Sequence, residues 1–149
     1  MRVVRSLEAL TMKSDPEKHI EPLAGHQLIS VEKKDHTWFF RFTGESTLAT
    51  ESPWRLLQGH IVISSEDHLQ QFALPEPVDA AKRVLTSTGG RSVESTAILS
   101  ESGDLTIVFA GGLQLQLLQA SSGYESWRLS VKGAETICTG GGTIVHRPK

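Results

Sequence analysis

One order of residues occurs twice in this chain, and it constrains the fold more than any other feature. The first run reads Gly25-His-Gln-Leu28-Ile-Ser30, then Trp38-Phe-Phe40-Arg-Phe42-Thr-Gly44, then Leu48, then Trp54-Arg55-Leu56. The second reads Gly90-Arg-Ser-Val93-Glu-Ser95, then Leu105-Thr-Ile107-Val-Phe109-Ala-Gly111, then Leu115, then Trp127-Arg128-Leu129. In both runs a Leu follows the glycine of Phe-x-Gly by four residues, and the second run carries two extra residues before Phe-x-Gly and six before Trp-Arg-Leu. Chance supplies any one such pair more readily than all of them in register, so the chain reads as an internal repeat.

Within each unit the apolar period is two. Trp38, Phe40 and Phe42 alternate with Phe39 and Arg41, and Leu105, Ile107 and Phe109 alternate with Thr106 and Val108. That spacing lines one face of a strand. Gly44 and Gly111-Gly112 supply the positive φ of tight turns, with strands expected next over Ser46–Thr50 and Leu113–Leu118. Each unit is read as a β-meander followed by a Trp-bearing strand or bend, with Trp54 and Trp127 as core anchors. Between the units, Ser64 or Ser65 N-caps a short helix reaching Phe72, and Pro77 opens a second through Val78, Ala81, Val84 and Leu85 that ends near Thr86. The expected fold is mainly β (α+β): two related antiparallel β-meander units in pseudo-twofold arrangement, with one or two short connecting helices. Its parts are an N-terminal extension over 1–21 and a single domain over 22–149, made of repeats 22–63 and 88–146 joined by a helical linker over 64–87.

At 149 residues the chain is the size of one domain. A chain this long needs no disulfide or metal to hold a core. Its single Cys138 builds neither a disulfide framework nor a multi-thiolate zinc site. A formal charge of −2 argues against nucleic acid as a partner. No apolar run has the length of a membrane span, and Arg5, Ser6 and Glu8 interrupt the amino-terminal apolar residues as no signal peptide would. The expected compartment is therefore the cytoplasm. Val3, Val4, Leu7 and Leu10 suit a short amphipathic helix or a strand, and 13–18 reads as a polar turn because Pro16 blocks helix continuation.

Catalytic patterns are missing from the sequence. The six histidines form no His-x-His or His-x3-His pair, and there is no Gly-x-Ser-x-Gly elbow. Cys138, in a β-like run ahead of three glycines, reads as a small buried hydrophobe, with His146 its nearest candidate activator. Gly140-Gly141-Gly142-Thr143 lacks the lysine of a phosphate loop. No catalytic residue, metal ligand or cofactor is assigned.

The most distinctive local feature is Tyr124-Glu125-Ser126-Trp127. On a strand, Glu125 shares a face with Trp127 and needs a cationic partner, for which Arg128 and Arg91 are candidates. Tyr124, Glu125, Trp127 and Arg128 are therefore the candidate ligand or partner residues. Together with Gly90-x-x-Val93-x-Ser95, Gly103-Asp-Leu105, Phe109-Ala-Gly111-Gly112-Leu113 and Cys138-Thr-Gly140-Gly141-Gly142, this motif resembles an uncharacterised bacterial family of small proteins marked by Tyr-Glu-x-Trp and a late Gly-Gly. The resemblance covers Pro22 to His146. The chain departs from it at Thr139, where members have Pro, and at Val145-His146, where members have an apolar or Trp ending. It implies a fold and a compartment and transfers no mechanism. The leading functional expectation is a non-enzymatic binding or protein-interaction module, in a narrower version an immunity-type protein. The alternative is a small-molecule binder or small enzyme with a site between the repeats, lined by Tyr124, Glu125 and histidines. A protein partner or a homodimer through open strand edges is expected, and neither nucleic acid nor membrane.

Overall fold

A computed structural model describes residues 15–149. The expectations for the first apolar residues lie outside them. The alternation seen in sequence becomes eleven strands among the described residues. The first five are β1 (Leu28–Lys34), β2 (Thr37–Phe42), β3 (Ser46–Thr50), β4 (Trp54–Leu57) and β5 (Ile61–Ser64). The remainder are β6 (Val93–Ile98), β7 (Leu105–Phe109), β8 (Gln114–Leu117), β9 (Trp127–Val131), β10 (Ala134–Cys138) and β11 (Ile144–Arg147). They form two antiparallel sheets, one of six strands in the order β1-β2-β3-β9-β10-β11 and one of five in the order β5-β4-β8-β7-β6. The chain is mainly β with two short α-helices, as the patterning predicts.

The core is built by every second residue of the central strands. Phe40, Leu48, Leu56, Leu105, Ile107, Leu115 and Leu129 are all fully buried. Each such side chain contributes roughly 1.5–3 kcal/mol relative to exposure, so these strands hold their register by burial. Trp54 lies edge-to-face with Trp38 at 5.0 Å and with Phe40 at 5.4 Å. The Trp54 indole N–H is buried without a hydrogen-bond partner among the described residues. Trp127 is as deeply buried, and its Nε1 donates to the Gly103 carbonyl at 2.8 Å.

The Trp-bearing strands do not extend the meanders that precede them. After β1-β2-β3 the chain crosses to the other sheet, where β4 pairs with β8; after β6-β7-β8 it crosses back, and β9 pairs with β3. The two junctions share one register. Trp127 lies opposite Thr50 and Leu129 opposite Leu48, while Trp54 lies opposite Leu117 and Leu56 opposite Leu115. A register shift interrupts β1/β2 between Leu28 and Ser30, and another interrupts β6/β7 between Val93 and Ser95. An isolated antiparallel bridge then joins the residues ahead of these strands, Gln27 and Ser92.

Two helices pack across this frame. The first, α1 (Asp15–Ile20), continues into a 3-10 turn at Glu21–Leu23 and packs on β6, β10 and β11. A polar turn was the expectation here because of Pro16. Proline instead occupies the first helical turn, where its missing N–H removes no intrahelical bond. Ile20 and Leu23 are fully buried, so the core draws on a residue that the expectation left in the extension. The second helix, α2 (Ala80–Thr88), is N-capped by Asp79, whose carboxylate accepts from Lys82 N at 3.1 Å. Ala80, Val84 and Thr88 form its buried stripe, and it packs on β1 and β5. It starts three residues beyond Pro77 because Val78 N–H bonds to Gln70 O instead. The helix expected from Ser64 or Ser65 to Phe72 is reduced to a 3-10 turn at Ser65–Asp67, closed by a capping box between Ser64 and Asp67. It stops there because Leu69, Phe72 and Ala73 adopt left-handed conformations, with φ of 66°, 46° and 59°.

Candidate functional site

The two segments that carry the chain between sheets run side by side. Residues 51–53 link β3 to β4, and residues 118–126 link β8 to β9. Leu118 N donates to Pro53 O at 2.9 Å, and the Thr50 hydroxyl donates to Ser126 O at 2.8 Å. The hydroxyls of Ser52 and Ser126 meet at 2.5 Å. Between the segments lies an open groove of about 570 Å³ lined by Glu51, Ser52, Pro53, Ala120, Ser121, Tyr124, Glu125 and Ser126. A smaller recess of about 120 Å³ beside it is lined by Glu51, Glu125, Trp127 and Arg128, among others.

The longer segment is held by serine side chains and by backbone contacts together. Ser121 Oγ accepts from Gly123 N at 3.1 Å and Tyr124 N at 2.9 Å, the local turn that serine favours. Gly141 N donates to Ser121 O at 2.8 Å, and Ser126 N to Cys138 O at 2.8 Å. Gly140 approaches so closely that a Cβ there would stand 2.5 Å from Gly123 Cα. A Cβ on Gly142 would overlap the Ser102 carbonyl. The late glycine run is thus a backbone-to-backbone seam. It brings Gly103, Tyr124–Trp127 and Cys138–Gly142 together, although they are far apart in sequence.

The candidate residues fall on both sides of this seam. Tyr124 is 82% exposed, its main chain fixed and its ring in solvent. Neither Tyr124 nor Glu125 lies on a strand, since β9 begins at Trp127, so Glu125 does not share a strand face with that core indole. Its carboxylate pairs with Arg128 at 3.0 Å, and Arg128 also reaches Glu135 at 3.2 Å. The hydrogen bond that Arg128 donates to Glu125 holds its guanidinium above the ordinary value, with both carboxylate charges adding to it. Arg91, the other candidate partner, instead donates to Ala110 O at 2.9 Å. Trp127 belongs to the core.

Cys138 is fully buried. Burial, with the nearby Asp104 charge, pushes its thiol up to about 11. A thiol held protonated in this way is a poor nucleophile. None of the histidines lines the groove. His19 stacks on His146 with ring centroids 3.4 Å apart, His26 Nδ1 is 3.0 Å from the Thr43 hydroxyl, and His68 Nδ1 accepts from Ala80 N at 3.1 Å. His36 and His60 are exposed. Among the described residues, no group of three or more His, Cys, Asp or Glu could hold a metal ion, and no helix is long and apolar enough to cross a membrane.

Sequence reasoning missed Glu51, Ser52, Pro53, Ala120 and Ser121 as groove residues. A signal for them was present in the six extra residues before the second Trp-Arg-Leu. That insertion makes the crossing at 118–126 longer than the one at 51–53, and the excess loop forms one wall of the groove.

Residues 19–146 match the family of unknown function DUF6188, and the chain belongs to that family. The match fits the resemblance to an uncharacterised family and reaches back past Pro22 to His19. No curated protein and no solved structure matches the chain.

Proposed function

We propose that this chain is a binding module that receives a basic side chain of a protein partner in the groove between its crossing segments. The observation that carries this reading is Tyr124, an aromatic ring 82% exposed on a backbone fixed at Ser121, Gly123 and the glycine seam. A rigid main chain presenting a free tyrosine loses little entropy on docking, and tyrosine is enriched among the residues that dominate interfaces. Glu51 and Glu125 line the same groove, and an exposed aromatic face beside carboxylates suits a guanidinium or ammonium group. Arg128 already occupies one side of Glu125, so an incoming cation is expected to share Glu125 and rely more on Glu51.

This reading treats residues 22–149 as one domain of two related halves that exchange their Trp-bearing strands. The shared junction registers, the paired register shifts and the Gln27–Ser92 bridge support that relation. The groove then lies between the halves, where the crossings differ most. An immunity-type role against a basic partner is the narrower form, and a cytoplasmic setting, where a lone thiol is unremarkable, goes with it.

The test is titration with an oligo-arginine peptide, followed by backbone amide shifts and calorimetry, with an oligo-glutamate peptide as control. Binding is expected at Glu51, Tyr124 and Glu125, weakening with salt and lost on Tyr124→Ala combined with Glu51→Gln. Shifts confined to other surfaces, or equal response to both peptides, would overturn the reading.

A further inference from the structure

We infer that the outward face of the five-stranded sheet carries a binding site for a free α-amino acid with an apolar side chain. The site shares no residue with the crossing groove and is independent of its function. In the middle of this sheet the core takes Trp54 and Leu56 from β4, Leu115 and Leu117 from β8, and Leu105 and Ile107 from β7. The residues that alternate with them, Arg55, Gln116 and Thr106, therefore lie on the opposite face. Register sets these three in one row across the strands. Arg55 is opposite Gln116 and Gln116 opposite Thr106, with Ala97 of β6 next in line. Asp104 stands two residues before Thr106 and shares its face, because Leu105 between them is buried.

This row and Asp104 line a recess of about 370 Å³, together with Ile98, Leu99 and Leu118. Small-ligand sites occupy about 300–1,000 Å³, so the recess holds a small molecule and not a peptide. Leu99 is 57% exposed and offers apolar surface that the core does not use.

Opposite charges line this recess without pairing. Arg55 Nε donates to Gln116 Oε1 at 2.9 Å, which ties the guanidinium to the row. Its two terminal nitrogens have no hydrogen-bond or ion-pair partner among the described residues. Asp104 Oδ1 accepts from Gln119 N at 2.8 Å, and its Oδ2 has no partner among them either. The two free ends define what fits. A simple anion would meet Asp104 and a simple cation would meet Arg55, while a neutral apolar molecule would strip water from both charges and return nothing. A ligand carrying a carboxylate, an ammonium and an apolar side chain satisfies every group. Its carboxylate takes the paired terminal N–H groups of Arg55, its ammonium takes Asp104 Oδ2, and its side chain lies against Leu99 and Leu118. Gln116 and Gln119 hold both anchors before the ligand arrives, which lowers the cost of ordering them.

Nuclear magnetic resonance titration and calorimetry of the full chain with L-leucine test this inference. N-acetyl-L-leucine and L-leucinamide serve as probes that each lack one of the two charges. Leucine is expected to shift the amides of Arg55, Leu99, Asp104, Thr106 and Gln116 while leaving those of Glu51, Tyr124 and Glu125 in place. Each blocked probe should bind at least tenfold more weakly than leucine. Asp104→Asn keeps an acceptor for Gln119 N and should abolish the preference for leucine over N-acetyl-L-leucine. Arg55→Met keeps the apolar stem and should abolish the preference over L-leucinamide. Both variants should retain the parent far-ultraviolet spectrum, since neither side chain enters the core. No response to leucine at tens of millimolar overturns the inference. So do blocked probes that bind the unaltered chain as tightly as leucine, or shifts confined to other surfaces.

Discussion

Gly140→Ala would place a methyl group where the backbone of Gly123 already stands. The new Cβ would lie 2.5 Å from Gly123 Cα and carbonyl carbon, about 1 Å inside normal carbon contact. Gly140 is not among the glycines with positive φ, so the penalty is one of space and not of conformation. Neither neighbour is the free end of a side chain, and one of the two backbones has to move. Either movement disturbs the 2.8 Å bond from Gly141 N to Ser121 O. Losing that backbone bond costs about 1 kcal/mol, and overpacking of this kind typically adds about 1–3 kcal/mol. The expected destabilisation is about 2–4 kcal/mol, a fall in Tm of roughly 5–15 °C for a chain of this length. Gly123→Ala is the control, because a Cβ there meets nothing within 4 Å. Thermal and urea unfolding of both variants measure the difference. If Gly140→Ala is as stable as Gly123→Ala, the glycine seam is not close-packed and the account of the late Gly-Gly run is wrong.

Three further outcomes follow from the same geometry. Trp127→Phe removes the buried donor to Gly103 O and should cost about 1–3 kcal/mol beyond packing, whereas Trp54→Phe removes no such bond; urea midpoints of the two variants should separate accordingly. Cys138 should react with a disulfide reagent at mildly alkaline pH only after unfolding. Because its folded pKa is raised from 9.0 to about 11, the unfolded chain releases the proton first and stability should decline as pH rises through that window. Burial lowers the His68 pKa, so the unfolded chain binds the proton first as pH falls. Stability should therefore be full above the ordinary imidazole value of 6.5 and decline below it, and His68→Gln should flatten that slope in urea melts.

The strands were legible because burial acts on every second residue. The alternation of Trp38, Phe40 and Phe42, or of Leu105, Ile107 and Phe109, reports a local fact that needs no knowledge of the partner strand. Ser46–Thr50 was read to the residue for this reason. Which sheet a Trp-bearing strand joins is not local: Trp54 looks the same beside β3 as beside β8, and only the finished core decides. The stretch up to Phe72 reads as helix because Leu69 and Phe72 have helical spacing, while the bonds that close the loop around the left-handed Leu69 come from Val78 and Gln70. Tyr124 was legible as unusual, but its strand assignment failed because Ser121 and Gly140 set that backbone from outside the motif. The groove residues Glu51 and Ser121 carried no signal of their own, and only the unequal spacing before the two tryptophans pointed to them.

The exchanged strands also dictate an order of completion while the chain is being made. The second sheet has all its strands once Leu117 has emerged, because β4 and β5 are already waiting for β8. The first sheet does not, since β3 has no neighbour on one side until β9 appears roughly 77 residues after Thr50. At about 5–20 residues per second, that edge stays open for on the order of 4–15 s. An unpaired edge is a template for pairing with the wrong chain. The nascent protein therefore passes through a stage with one sheet closed and the other half-built, and Ser46–Thr50 is an edge open to mispairing throughout that interval although it lies inside the finished sheet.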